Sequence, residues 1–488
     1  MKVLFYHYGS EDWFGITYLS AALKKAGHKT DLLLEPPMDL YFKVPLISRI
    51  NVKKRLVKKA LGYKPDLIAF STTTNAFPHV RKMASLLKYA LNAPIIIGGV
   101  HATSLPEYVL NNSAADMVCR GEGDEAIVEV ADALEAGRGL DKIRNIWVKR
   151  KDGSIVKNDV RPLIEDLDSL PFPDKELFAR YNCISSDYNI IAGRGCPYSC
   201  SYCCNHYYQQ LYRGKGRYVR MRSPENVVAE LKLARKRFKI RSVYFWDDAF
   251  TVNMKWLRNF TKLYRQEVAL PFHCLTRPEN INQEVISLLK AAGCSHINIG
   301  IESGSERVRR QVLNRQMTNR QIIDAARLIR KAGIRLNVFN MFGIPDETPE
   351  EMWETVRLNL RLKADGVFAF LLNPFPETRI TDYALSKGLL SDPGLERVKS
   401  GNIAGFQSEG DSSLEHPHKE LARNLKTLLP IMNRSPRFMQ PMLRRLALSN
   451  RNPGRLVHIA SLFFVDPSRT GFKIKEYVSS VVNIMRLK

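Results

Sequence analysis

Apolar residues recur through the first third of the chain as short runs separated by amphipathic stretches. Runs at 3–6, 29–34, 66–71, 93–98 and 116–119 read as strands. Between them, Ile16, Leu19 and Leu23 fall at helical spacing, and 80–91 and 125–134 carry the same period. Strands alternating with helices predict an α/β domain over residues 1–140, a Rossmann-like doubly wound parallel sheet. The pattern over 143–156, centred on Asp152-Gly153, predicts a β-hairpin with a type I′ turn. Residues 161–174 hold three prolines and no sustained period, so 141–180 reads as hairpin and irregular linker. A second series of strands follows at 189–192, 242–246, 271–275, 296–301, 335–342 and 366–372, with helical stretches such as 224–238 and 282–292 between them. Six strands joined by crossover helices fit a partial (β/α)6 barrel over 181–390, with a basic, mainly helical region at 391–488.

Ligands of such sheets sit beyond the carboxyl ends of the strands. Ser71-Thr72-Thr73-Thr74 follows the third strand, Gly98-Gly99-Val100-His101 the fourth, and Gly121-Glu122-Gly123-Asp124 the fifth. Glycine lets a backbone approach a ligand closely, and hydroxyls offer compact hydrogen bonds. The same residues also dominate ordinary turns, so composition alone leaves both readings open.

Charge changes the picture more than length does. Lys and Arg outnumber Asp and Glu by 74 to 49, a formal charge of +25, which points to anionic partners rather than to any fold. Residues 43–64 carry eight basic residues and no acid, readable as a solvated helix face or a phosphate or membrane contact. Residues 431–488 hold eleven basic residues and two acids. There Ile474, Tyr477, Val478, Val481, Val482 and Met485 share one helical face. That segment reads either as a helix packed on the barrel or as a basic amphipathic helix on an anionic membrane. The opening residues are too short to form a secretory signal and no apolar stretch is long enough to span a bilayer, so the expected location is cytoplasmic, with membrane association at its cytoplasmic face as the variant.

Reduced thiols are the rule in that compartment. Four of the eight cysteines lie within nine residues, which suits metal binding rather than a disulfide framework. Cys196, Cys200 and Cys203 stand at C-x3-C-x2-C directly after a strand. Soft thiolates at that spacing select zinc or an iron–sulfur cluster, and three ligands leave one iron open to a further ligand. Cys204 is a fourth neighbouring thiol, but adjacent residues rarely aim at one small centre, so it is expected to pack beside the site without binding. Cys183, Cys274 and Cys294 read as buried apolar residues.

This spacing, with Tyr202 before the last cysteine, resembles the signature of the radical S-adenosylmethionine superfamily. The three turns of the first domain resemble the cobalamin-binding domain that precedes many such enzymes, and the likeness runs to about residue 390. The resemblance implies a [4Fe–4S] cluster on Cys196, Cys200 and Cys203 and reductive cleavage of S-adenosylmethionine to a 5′-deoxyadenosyl radical. It implies S-adenosylmethionine contacts at Tyr202, at Asp247 and Asp248, at Glu302 and Ser303 within Gly-Ile-Glu-Ser-Gly, and at Gly343. It implies cobalamin against Ser71, Thr72, Thr73, Gly98, Gly99, Val100, His101, Gly121 and Glu122. The family's Asp-x-His-x-x-Gly signature is absent, and the surroundings of His7 do not match it, so no protein imidazole is expected on cobalt. The turn at 373–378, with Glu377 in place of the family's glycine, is assigned a structural role.

The implied reaction is methylation of an unactivated carbon on a small-molecule or lipid substrate, supplied with electrons by a flavodoxin- or ferredoxin-like donor. A second reading keeps the radical and ends in cyclisation, oxidation or rearrangement. A third makes the cysteines structural in a nucleic-acid-binding or electron-transfer protein. Aromatics are not interleaved with the basic runs, and the first 118 residues lack the second cysteine set of tRNA-modifying relatives, which argues against nucleic acid.

Overall fold

The computed structural model describes residues 1–36, 51–403 and 412–449. Residues 43–50 of the first basic stretch and the amphipathic segment at 473–488 lie outside the described residues.

The first sheet contains β1 (Lys2–Tyr8), β2 (Lys29–Glu35), β3 (Leu67–Ser71), β4 (Ile95–Gly98) and β5 (Met117–Cys119). Their spatial order is β2-β1-β3-β4-β5, all parallel. The order reverses between β1 and β3, which opens a crevice at their carboxyl ends. The strands read as continuous apolar runs because helices cover both faces. In the described part of the basic stretch, helix Val52–Tyr63 buries Val52, Leu56 and Ala60, while Lys53 pairs with Glu35.

The hairpin is formed, but it does not belong to the linker. Strands β6 (Ile146–Lys149) and β7 (Ile155–Lys157) extend this sheet to seven strands through antiparallel pairing of β6 with β5. Its turn also differs from type I′, which needs positive φ at both central residues. Here Gly153 alone is left-handed, at φ +86°, and its amide bonds to the Arg150 carbonyl at 3.0 Å while Arg150 N donates to Ser154 O. That is a type I turn closed by a bulge. The linker is likewise packed: Leu177, Phe178, Tyr181 and Cys183 join the core of the first sheet.

The second sheet holds β8 (Asp187–Ile190), β11 (Ser242–Phe245), β12 (Phe272–Thr276), β13 (Cys294–Glu302), β14 (Arg335–Phe342) and β15 (Gly366–Leu371), while β9 (Gly193–Arg194) and β10 (Arg220–Met221) form a separate two-residue antiparallel ladder. The six strands β8-β11-β12-β13-β14-β15 pair in parallel and in chain order, with helices between them, giving the open barrel. Alternation sorts the side chains. Leu336, Val338 and Phe342 of β14 join the core under the helices, while Asn337, Phe339 and Met341 stay part-exposed on the other face. Helix Lys419–Arg434 lays Leu425, Leu428, Leu429 and Met432 into the same core beside β14 and β15, so this part of the C-terminal region completes the barrel.

Candidate active site

The loop carrying the cysteines is pinned from three directions. Ser201 donates to the Val312 carbonyl at 2.6 Å, and its own carbonyl accepts from Ile380 N at 2.9 Å. Gln209 Nε2 donates to the carbonyls of Cys196 and Tyr198 at 2.7 and 3.1 Å. Cys196 and Cys200 are buried and Cys203 is part-exposed. Burial pushes the Cys196 thiol up to about 12, so only ligation or a strong cation makes it a thiolate. A hydrogen bond from Cys204 and another from Asn205 bring Cys203 down to about 7. Cys204 is a free, part-exposed thiol hydrogen-bonded to Cys203.

Three thiols on one pinned loop, with the Arg277 guanidinium 3.2 Å from Cys200 Sγ, are a soft and partly charge-compensated donor set of the kind an iron–sulfur cluster takes.

Above the cluster loop, Glu302 ends β13 in a bulge with φ +69°, a left-handed conformation that costs a non-glycine residue about 1–3 kcal/mol. Its Oε1 accepts from Tyr202 OH at 3.0 Å and lies 3.6 Å from Arg315 Nη1. Arg315 also donates to Tyr202 OH at 3.0 Å and to the Gly300 carbonyl at 2.6 Å. Burial raises the Glu302 carboxyl above its ordinary range, and Arg315 and Tyr202 pull it back. Tyr202 and Glu302 are therefore brought together, with an arginine that strand-end reading missed.

The other barrel candidates separate. Both Asp247 oxygens accept the Ala192 amide at 3.0 Å, and burial raises this carboxyl to about 7, so it braces the chain just before the cysteines. Asp248 is exposed and accepts from Asn205 Nδ2 at 3.0 Å, facing the site. Ser303 is fully buried and its hydroxyl accepts from Ser305 N at 3.2 Å, an internal lock rather than an open contact. Gly343, at φ +69°, donates its amide to Glu347 at 3.0 Å. Glu347 was not foreseen; burial raises it to about 8.

At the first sheet, Ser71, Thr72, Thr73, Gly98, Gly99 and Val100 form the carboxyl-end rim. Gly99 has φ +96°, and a Cβ there would stand 2.5 Å from the Thr72 carbonyl oxygen. His101 is fully buried, its ring tilted against that of Phe77 with centroids 4.4 Å apart, and its Nδ1 lies 3.2 Å from Thr74 Oγ1. His7 is buried between the rings of Trp13 and Phe178. The burial of His101 sets it apart from the half-buried Ser71, Thr73, Gly98, Gly99 and Val100 of the rim, with which the sequence had grouped it.

The third turn belongs to the domain interface. A Cβ on Gly121 would fall 1.9 Å from Tyr212 OH, and Glu122 N donates to that hydroxyl at 2.7 Å. The Glu122 carboxylate accepts from Arg220 at 2.6 and 3.1 Å and lies 3.4 Å from Arg194, while Asp124 takes Arg194 at 2.8 and 2.9 Å. Helix Cys204–Leu211, which begins at the residue after Cys203, adds Tyr207 OH to the Thr103 carbonyl at 3.1 Å. Beyond β1, Asp12 pairs with buried Lys175 and accepts from Asn189 Nδ2 at 2.9 Å, and Asn189 Oδ1 accepts from Trp246 Nε1 at 2.9 Å.

A profile described as the radical SAM superfamily matches residues 190–358, and one described as the B12 binding domain matches residues 5–131. An uncharacterized methyltransferase of Pyrococcus horikoshii is 30% identical over 342 residues, covering 69% of this chain and 72% of its own. The anaerobic magnesium-protoporphyrin IX monomethyl ester cyclase of Cereibacter sphaeroides is 28% identical over 408 residues, covering 78% of this chain and 63% of its own. Among solved structures, the radical S-adenosylmethionine methyltransferase TsrM of Kitasatospora setae, with cobalamin and a [4Fe–4S] cluster bound, superposes with a TM-score of 0.65 at 19% identity, over 80% of this chain and 79% of that one. The chain belongs to the radical S-adenosylmethionine superfamily, among the members with a B12-binding domain ahead of the radical domain, enzymes whose cofactors are a [4Fe–4S] cluster, S-adenosylmethionine and cobalamin.

Proposed function

We propose that this enzyme transfers a methyl group to an unactivated carbon of a small substrate with an apolar skeleton, of lipid or isoprenoid type. The observation that carries this reading is the helix that begins directly after Cys203. Tyr207 and Tyr212, at its end, bond to Thr103 and Glu122 at the carboxyl end of the first sheet. In this reading the segment that holds the cluster is stapled to the sheet that holds cobalamin, and fixed proximity is what a transfer between two seats needs.

In this reading Cys196, Cys200 and Cys203 hold the cluster, and Tyr202, Arg315, Glu302 and Asp248 surround S-adenosylmethionine. Ser71–Thr73 and Gly98–Val100 form the cobalamin rim. The bound cofactors supply a substrate radical and a methyl donor. The protein's share is to orient them and to exclude water. Trp246 is 43% exposed at the end of β11, stacked on Tyr244 at 4.4 Å, and Phe339 stands with Phe368 and Phe370 on β14 and β15. These rings support an apolar substrate. An external one-electron donor completes the cycle. Among the described residues no helix is long and apolar enough to cross a membrane. Peripheral membrane contact is proposed for the segment at 473–488 from its sequence pattern alone.

The test is anaerobic purification and cluster reconstitution with hydroxocobalamin, a reductant and S-adenosylmethionine. Bound cobalamin is read by visible absorption, and 5′-deoxyadenosine and S-adenosylhomocysteine by mass spectrometry. Stoichiometric cobalamin with both products is expected. 5′-Deoxyadenosine without bound cobalamin would sink methyl transfer and leave the cyclisation or oxidation reading.

A further inference from the structure

The three cysteine sulfurs do not share one electrostatic environment. Cys200 Sγ accepts from Arg277 Nη1 at 3.2 Å and lies 3.7 Å from Arg315 Nη1. Cys203 Sγ has a neutral donor instead, Asn205 Nδ2 at 3.4 Å, and the same amide donates to the Asp248 carboxylate at 3.0 Å. The Cys200 corner is cationic, whereas the Cys203 corner has a neutral donor backed by a carboxylate.

Arg277 is built for that corner. It leaves β12 directly, is 7% exposed, and lies over the face of Tyr198 at 3.7 Å. Its Nε and Nη2 face Glu279, at 2.7 and 2.5 Å, which leaves Nη1 pointing at the sulfur. The ion pair therefore presents its positive end to Cys200. Arg315 is shared more widely, with Glu302, Tyr202 and Gly300.

We infer that Arg277 sets the reduction potential of the cluster through Cys200. The inference rests on the proposal that Cys196, Cys200 and Cys203 are the ligands. Reduction takes one electron from an external reductant into the cluster and breaks no bond. In a buried site a guanidinium beside a ligand sulfur stabilises the added negative charge, and hydrogen bonds to cluster sulfurs raise the potential in the same sense. Arg277 touches a ligand and not the reacting atoms, so it is a positioning residue for charge.

The test is a potentiometric titration of the full-length, anaerobically reconstituted protein, following the reduced cluster by electron paramagnetic resonance. Arg277→Met is expected to lower the midpoint by about tenfold in the reduction equilibrium, or about 59 mV for one electron. Glu279→Gln, which keeps the guanidinium and removes its counter-charge, is expected to move it the opposite way. Arg277→Lys should stay nearer to the wild type. Variants with wild-type iron and sulfide content and an unmoved midpoint, or both shifts of one sign, would overturn the inference. If Arg277→Met holds no cluster, the direction of the Glu279→Gln shift decides. Cys200→Ala separates the two levels: a full cluster on that variant refutes the ligand assignment itself.

Discussion

At the carboxyl edge of the first sheet the turns are made of hydroxyls, glycine and backbone, from Ser71–Thr73 to Gly98–Gly99. At the carboxyl edge of the barrel they are made of buried charge: Glu302 with Arg315, Arg277 with Glu279, and Asp247 over the Ala192 amide. In the proposed function the ligands of the two edges explain the contrast. A broad macrocycle needs clearance and backbone contact. A cluster and a zwitterionic sulfonium carry charge into a dry site, where each charge needs a fixed partner.

The contrast breaks most visibly at the cysteines. Alanine at Cys196, Cys200 or Cys203 is expected to abolish the cluster's visible absorption and reduce 5′-deoxyadenosine to background, while cobalamin still binds. Loss of both cofactors together would show that the two edges are not separate seats. Next comes the seam between them. Asp12→Ala strands the buried Lys175 ammonium and should cost about 3–5 kcal/mol in urea unfolding. A loss under about 1 kcal/mol would mean that the pair contributes no more than a surface ion pair does. A smaller loss is expected on the first rim. Gly99→Ala forces a side chain into a left-handed turn against Thr72 and should cost about 1–3 kcal/mol. Cobalamin occupancy should fall while the iron content holds.

The smallest effect is a change of slope with pH. Glu347, under the Gly343 turn, has its folded-state carboxyl raised from 4.5 to about 8 by burial. A raised carboxyl contributes stability below its unfolded value, and that contribution is lost as pH rises through about 8. Glu347→Gln keeps an acceptor for the amides of Gly343 and Ile344 and cannot ionise. The variant should therefore gain on the wild type in thermal midpoint between about pH 6 and about pH 9. An equal gap at both ends would show that this carboxyl stays ionised.

Periodicity made the strands legible, since β14 falls on the apolar run at 335–342 and the cysteine spacing follows a strand in both readings. Partnership was not legible. The hairpin is a local pattern, but its place on the first sheet depends on the pairing of Val118 with Trp147, which no local signal records. Gly121-Glu122 has the composition of a ligand turn, yet composition is the same whether a turn meets a cofactor or Tyr212. Arg277 could have been found by the rule that singled out Glu302, because it too is a charge directly after an apolar strand. Arg315 lies in the irregular stretch after Glu302, where no period points to it.

The missing side chain of Gly121 has a consequence for modularity. The Tyr212 hydroxyl occupies the volume that a Cβ would take, so the socket is in one domain and its plug in the other. A chimera that grafts the first 140 residues onto a foreign barrel inherits the socket without the plug. Such swaps should fail at this joint unless the segment from Cys204 to Tyr212 travels with the graft.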